Sequence, residues 1–432
     1  MTVSSSLLED GSTKPAIIDA RVVFLTHYIP PYQVRVLQEI AAVVRDFQVL
    51  LSTPIEPNRA YTLDWDGLNV SVQNTWTLRR RWKHGPGGFY DPLFVHVPFD
   101  TTRRLSELKP DVVMSHELGA RSLGAARYCR RNPETKHILC TYMSERTEQG
   151  RGWLRRLLRK RLISGADAIT YNGPSCRSYL EQYSAPGQER FHFPYAADDR
   201  TVYQGPVARN IDTSRHHLLV VGQLSQRKGV LPMLRQAAQY CQDRPNRRLH
   251  LTFAGDGPLR AEMESLPRPE NLEVKILGNI EPQEVAALMA RSGALVAPTL
   301  ADEWMLAVNE ALQAGLPVIG SVHSQAVATL IQNGVNGWQY DPTDEGSFEL
   351  ALDAFFGEPD ETVDSMRNAA RETVVHRTPR WAATGAVDAI KHVLQVAPES
   401  ADELDAIRSV EKLGFVQENC KNESLVGLGG SV

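Results

Sequence analysis

Short, mainly apolar runs at 21–26, 47–52, 111–114, 168–171, 249–254, 274–277, 294–297 and 318–320 are separated by longer stretches with a different rhythm. At 34–44, 345–355 and 380–393 the apolar residues recur every three or four positions. The first rhythm predicts buried strands and the second predicts amphipathic helices packed over them. A strand, helix, strand alternation of this kind builds parallel sheets, so the fold class is α/β. The alternation begins twice, near 21 and again at 217, with a polar Gly-Pro stretch at 200–214 between. Two domains are therefore predicted, 1–205 and 206–378, followed by a helix at 379–396 and an acidic, then glycine-rich tail at 397–432 that is expected to be poorly ordered.

The most informative stretch is 294–321, ALVAPTLADEWMLAVNEALQAGLPVIGS. A β-type run ends at Pro298, Asp302 follows in the loop, Glu310 lies in the next helical segment, and Gly315-Leu316-Pro317 closes the unit before another β-type run. In open α/β sheets ligands bind outside the carboxyl ends of strands. Two carboxylates there can accept hydrogen bonds from vicinal hydroxyls such as those of a ribose or hexose. The alternative is a pair of solvated acids favoured by the helix dipole.

Further candidates lie at other strand ends. His116 closes the DVVMSHE run, where it either faces the cleft or is a structural histidine. The segment from 217, beginning HLLVVGQLSQRKG, carries Gly222, Gln223, Arg227 and Lys228 in a loop able to meet a diphosphate with fixed positive charge. Gly255-Asp256-Gly257-Pro258 and Gly278-Asn279-Ile280 follow two later strands. After the first strand stands THYIPPYQV, which lacks the G-x-G-x-x-G of a dinucleotide fold and argues against a nicotinamide-dependent oxidoreductase. Tyr28 and Tyr32 there either line an acceptor site or serve packing. Asp64-Trp65-Asp66 has metal-binding spacing but lies in a polar turn, so no metal site is assigned. The basic and aromatic run at 78–90 reads as an exposed loop, with acceptor contact as the other reading.

Together these motifs resemble retaining glycosyltransferases of family 4. D-E-W-M-L-A-V-N-E is similar to that family's E-x7-E signature, with Asp302 and Glu310 in the acidic places. The resemblance implies a GT-B fold, two facing Rossmann-like domains with the ligand cleft between them. It also implies that Asp302 holds a donor-sugar hydroxyl, Glu310 the ribose, and the backbone at Gly278 and Ile280 the base. His116 would contact the sugar near the reacting carbon, while Arg227 and Lys228 take the place of the family's phosphate clamp. Two positions depart from the pattern: Met305, followed by Leu306, stands where glycine is usual, and Gln223 stands where arginine is common. The implied activity is metal-independent transfer of a hexose from a nucleotide-diphosphate sugar, with UDP and GDP undistinguished, to a glycan or lipid-linked acceptor. Retention of configuration follows from the family, and no cofactor beyond the donor is implied. A nucleotide-sugar epimerase, or a degenerate transferase acting as a membrane-associated scaffold, is the alternative.

Charge and cysteine usage refine this picture. The net charge of −4 argues against nucleic acid as a partner. Residues 1–205 nevertheless hold 27 Lys and Arg against 21 Asp and Glu, whereas the remainder holds 20 against 30. The run 151–163, RGWLRRLLRKRLI, is a basic amphipathic helix suited either to an anionic membrane surface or to ordinary packing of its leucines. Five cysteines without C-x-x-C spacing read as free thiols in a reducing compartment. With no leader-like start and no long apolar run, the expected location is the cytoplasm, with a peripheral membrane association through the basic helix.

Overall fold

The computed structural model describes residues 17–57, 59, 62–83, 88–148, 152–206 and 215–396. The tail at 397–432, part of the 200–214 connection and Arg151 lie outside the described residues.

The amino half builds a seven-stranded sheet from β1 (Ile18–Thr26), β2 (Val44–Leu51), β3 (Asn69–Val72), β6 (Val112–His116), β7 (Lys136–Cys140), β8 (Ala168–Tyr171) and β9 (Arg190–His192). A separate antiparallel pair, β4 (Thr75–Lys83) and β5 (Tyr90–Pro98), is inserted after β3. The sheet order is β3-β2-β1-β6-β7-β8-β9, with every pairing parallel. Both faces are covered, which explains the nearly unbroken apolar strands. Val22, Phe24 and Val49 enter one core, while Val23, Leu25 and Leu50 enter another on the opposite face.

The carboxyl half repeats the plan with β10 (His217–Val221), β11 (Leu249–Ala254), β12 (Leu272–Gly278), β13 (Ala294–Ala297), β14 (Val318–Ser321) and β15 (Gly337–Tyr340). Its order is β12-β11-β10-β13-β14-β15, again all parallel. Each sheet therefore turns back on itself beside its first strand. The crevices lie at the carboxyl ends of β1 and β6 in one domain and of β10 and β13 in the other.

Several local expectations shift. The first helix is Pro31–Ala41, starting at a proline suited to the first turn, and β2 begins at Val44 because that residue pairs with Ile18 of β1. The run expected as a loop at 78–90 is largely β4 and the start of β5, so strand pairing overrides its charge. The helix Pro174–Glu181 starts after Gly173, with no side-chain cap, and with a proline in its first turn.

The helix Pro379–Val393 packs on the first domain, placing Ala382, Ala386, Ala389 and Ile390 in the core with β1 and the helix Pro31–Ala41. Thr378 caps it by accepting from the Trp381 N–H at 3.2 Å. The approach is close enough that a Cβ at Gly385 would stand 1.6 Å from the His192 carbonyl oxygen. Gly385→Ala must push the helix off β9, so we expect a loss of about 1–3 kcal/mol, read as a lower denaturant midpoint than wild type.

Candidate active site

In the carboxyl domain, the loops after β10 and β13 interlock. The Arg227 carbonyl accepts from the Leu300 N–H at 2.8 Å and from the Thr299 hydroxyl at 3.2 Å. Gly229 has φ 64°, and a Cβ there would fall 2.1 Å from the Pro298 carbonyl oxygen. Only glycine fits that crossing.

The crossing brings three sequence-predicted residues together. The Lys228 ammonium pairs with Asp302 Oδ2, and Arg227 Nη1 lies 3.3 Å from the same oxygen. Arg227 also donates to the Ala301 carbonyl at 3.0 Å. Burial would raise the Asp302 carboxyl, but Lys228 and Arg227 outweigh it and hold the group well below the usual carboxylate range. Asp302 is therefore ionised and its charge is matched by cations able to serve a second anion.

Gly222 leaves β10 at φ 136°, and a Cβ on it would lie 3.9 Å from the Lys228 side chain. Gln223 follows it, and its carbonyl accepts from the Ser225 N–H at 2.9 Å. Gly278 ends β12 at φ 74°, with Ile280 packed against the core shared by Leu219 and Leu295. Met305 keeps a left-handed backbone, φ 74°, a conformation suited to the glycine it replaces. Its side chain is buried in the domain core with Val308 and Leu312.

Leu306 starts the helix Ala307–Gln313, which carries Glu310. Among the described residues, none hydrogen-bonds the Glu310 carboxyl. Burial, with a smaller contribution from Asp198, pushes it up to about 7. Asp198 itself is buried and bonded to Arg200 at 2.7 Å.

Across the cleft, His116 ends β6 beside the end of β1. Its Nδ1 lies 3.2 Å from the Thr26 hydroxyl, and Tyr142 packs edge-on at 5.0 Å. Burial draws its pKa down to about 3, so the imidazole is neutral near pH 7. Sequence reasoning passed over its neighbour Glu117, which sits at φ 70°. The Glu117 carboxylate accepts from Arg121 and from the Tyr142 hydroxyl, with His27 at 3.7 Å. Burial would raise Glu117, but His27 and Arg121 hold it far below the usual range. Nothing in the residue types of S-H-E gave away this network, since Arg121 and Tyr142 reach it from separate elements.

The two crevices meet. Asn172 Nδ2 donates to the Glu303 carbonyl at 3.4 Å, and the Tyr195 and Trp304 ring centroids are 6.5 Å apart. A Cβ at Gly173 would come within 3.2 Å of Trp304. Lys228 also feels the charge of Arg59, from the loop before β3. Asp64 bonds the Asp66 N–H at 3.0 Å in a local turn. Among the described residues, no group of three or more His, Cys, Asp or Glu side chains could hold a metal ion.

Comparison with known proteins agrees with this arrangement. Residues 32–196 match a glycosyl transferase 4-like domain, and residues 215–356 match the model for glycosyl transferases group 1. A D-inositol 3-phosphate glycosyltransferase of Pseudarthrobacter chlorophenolicus is 24% identical over 335 residues, 74% of each chain. Sucrose-phosphate synthase of Thermosynechococcus elongatus superposes with a TM-score of 0.63 at 15% identity, covering 87% of this chain and 100% of that one. HepE of Anabaena, solved in complex with UDP, gives 0.63 at 12% identity, over 86% of this chain and 100% of its own. With both halves matched and the two doubly wound sheets facing each other, the chain belongs to the family 4, or group 1, glycosyltransferases of the GT-B fold.

Proposed function

We propose that the protein transfers a hexose from a nucleoside-diphosphate sugar to a hydroxyl of a glycan or lipid-linked acceptor, with retention of configuration. The observation that carries this reading is the Arg227, Lys228 and Asp302 cluster at the switch point of the second sheet, with His116 at the switch point of the first. On donor binding the diphosphate takes over the two cations, and Asp302 turns to a sugar hydroxyl. As the bond from C1 to the diphosphate breaks, Arg227 and Lys228 stabilise the charge that develops on the leaving group. The acceptor oxygen bonds to C1, and its proton passes to the departing diphosphate. Fixed side-chain cations do the work that a divalent ion does elsewhere, which supports metal-independent transfer. The neutral His116 lies beside the sugar and donates or accepts a hydrogen bond without adding charge.

Glu310 holds the ribose hydroxyls, and the backbone at Gly278 and Ile280 faces the base. The UDP and UDP-glucose bound to Anabaena HepE support a uridine donor as the first to test. Cys129, Cys140, Cys176 and Cys241 are free and buried, which supports work in a reducing compartment such as the cytoplasm.

A melting-temperature screen with UDP, GDP, ADP and their sugar conjugates tests the donor. A rise with one nucleotide is expected, growing with ligand excess; no response to any at millimolar concentration overturns the reading. Glu310 adds a pH signature. The ribose bonds to its ionised form, so affinity is expected to rise as pH passes about 7, and binding there releases a proton. Glu310→Gln should bind more weakly and lose that rise.

Lys228→Ala should lower kcat by about 100-fold in a transfer assay. Asp302→Asn should split two readouts, with tighter binding of UDP alone and loss of sugar transfer. The same variant leaves Arg227 and Lys228 unmatched, at a cost of roughly 2 kcal/mol in stability. Because the folded-state carboxyl titrates below its ordinary value of 3.8, that difference is complete above pH 3.8 and shrinks as the medium becomes more acidic.

A further inference from the structure

The helix Trp153–Ser164 turns the face expected from its sequence only partly inward. Leu158, Leu162 and Ile163 pack against β7 and β8 residues, and Arg159 is buried in an ion pair with Glu148 at 2.7 Å. Trp153, Leu154 and Leu157 point the other way, 71%, 65% and 56% exposed. At about 3.6 residues per turn, Trp153 and Leu157 stand one above the other on the outward face. Arg156, Lys160 and Arg161 flank them there. Large apolar side chains gathered on one exposed face mark a docking surface.

A second basic stripe lies alongside. On the helix Ala120–Arg131, Leu123, Arg127 and Arg130 are exposed at i, i+4 and i+7. Leu123, Arg127 and Arg130 form one wall of an open groove of about 770 Å³, and Leu158 and Arg161 belong to the other. Neither helix contains an Asp or Glu, and the acids nearest in sequence are Glu117, which is paired with Arg121, together with Glu134 and with Asp167 on the rim of the groove. Among the described residues, no helix is long and apolar enough to cross a membrane.

We propose that the outward face of Trp153–Ser164, with the Arg127 and Arg130 stripe beside it, is the surface by which the protein lies on an anionic lipid bilayer. The apolar side chains enter the boundary between headgroups and acyl chains. The surrounding cations then meet lipid phosphates at the depth where those groups lie, and the groove receives headgroups between the two helices. A second protein chain would satisfy the leucines, but would have to supply matching acids along both stripes. An anionic leaflet supplies them everywhere. The inference concerns a surface outside the cleft and does not depend on the identity of the donor.

The test is flotation of the full chain with vesicles of phosphatidylcholine alone or with about 30% phosphatidylglycerol, a composition chosen to give a negative surface. Binding is expected only to the anionic vesicles, weakening as salt rises. Leu154→Glu/Leu157→Glu should reduce it at least tenfold while leaving the nucleotide-induced rise in melting temperature intact. Trp153→Phe should remove a blue shift in tryptophan emission seen with wild type on anionic vesicles. Equal binding to both compositions, or none to either at low salt, overturns the proposal. So does a concentration-dependent dimer, measured by sedimentation, that the double variant abolishes while vesicle binding is absent, since the face would then join copies of the chain.

Discussion

The pairing of one carboxylate with two cations, Asp302 with Arg227 and Lys228, depends on nearly every level of the structure. It exists because two loops from adjacent strands, β10 and β13, cross at the point where the sheet order reverses. The crossing in turn requires Gly229, since any side chain there would strike the Pro298 carbonyl. An isolated surface ion pair of this kind contributes little. Here the partly buried surroundings make the charge matching consequential, because removing one anion leaves cations that need another. A diphosphate is such an anion, and under the proposed function the resting cluster is already organised to receive it.

The opposite wall solves a similar problem with a different balance. Glu117 and Arg121 neutralise each other, Tyr142 donates to the carboxylate, and Thr26 engages His116 Nδ1. Burial then leaves His116 neutral rather than charged. The cleft thus has one wall whose cations can be shared with a ligand and one whose charges are mutually satisfied. A developing positive charge at a sugar carbon would meet no competing imidazolium. The division of labour follows from burial and pairing, not from residue type.

Much of this was legible in the amino-acid sequence. The parallel strands were visible because both faces are buried and the runs are correspondingly apolar, as in Val22 to Leu25. Asp302, Lys228 and His116 could be placed at strand ends because the strand before each was clear. What the sequence concealed was tertiary. Glu117 and Arg121 stand only four positions apart, but Tyr142 comes from 25 residues further on, and no local spacing encodes its arrival. The β4-β5 pair was concealed because its charged residues lie on an exposed hairpin, where cross-strand pairing rather than a core holds them. The direction of Trp153, Leu154 and Leu157 was concealed for a related reason: a helix with apolar residues over much of its circumference does not disclose which arc its domain will use.

Met305 shows how a departure from a family pattern can be absorbed. The left-handed backbone is retained at φ 74°, where a side chain costs on the order of 1 kcal/mol relative to glycine. Burying a methionine side chain contributes about 1.5–3 kcal/mol, and this one is only 6% exposed. Burial can therefore offset the strain, provided the side chain turns into the domain. It does so, joining Trp304, Val308 and Leu312 in one buried cluster. The loop keeps the path that glycine would give it, and the substitution is taken up by the core behind the site. The left-handed backbone is thus kept at this position although a side chain is present.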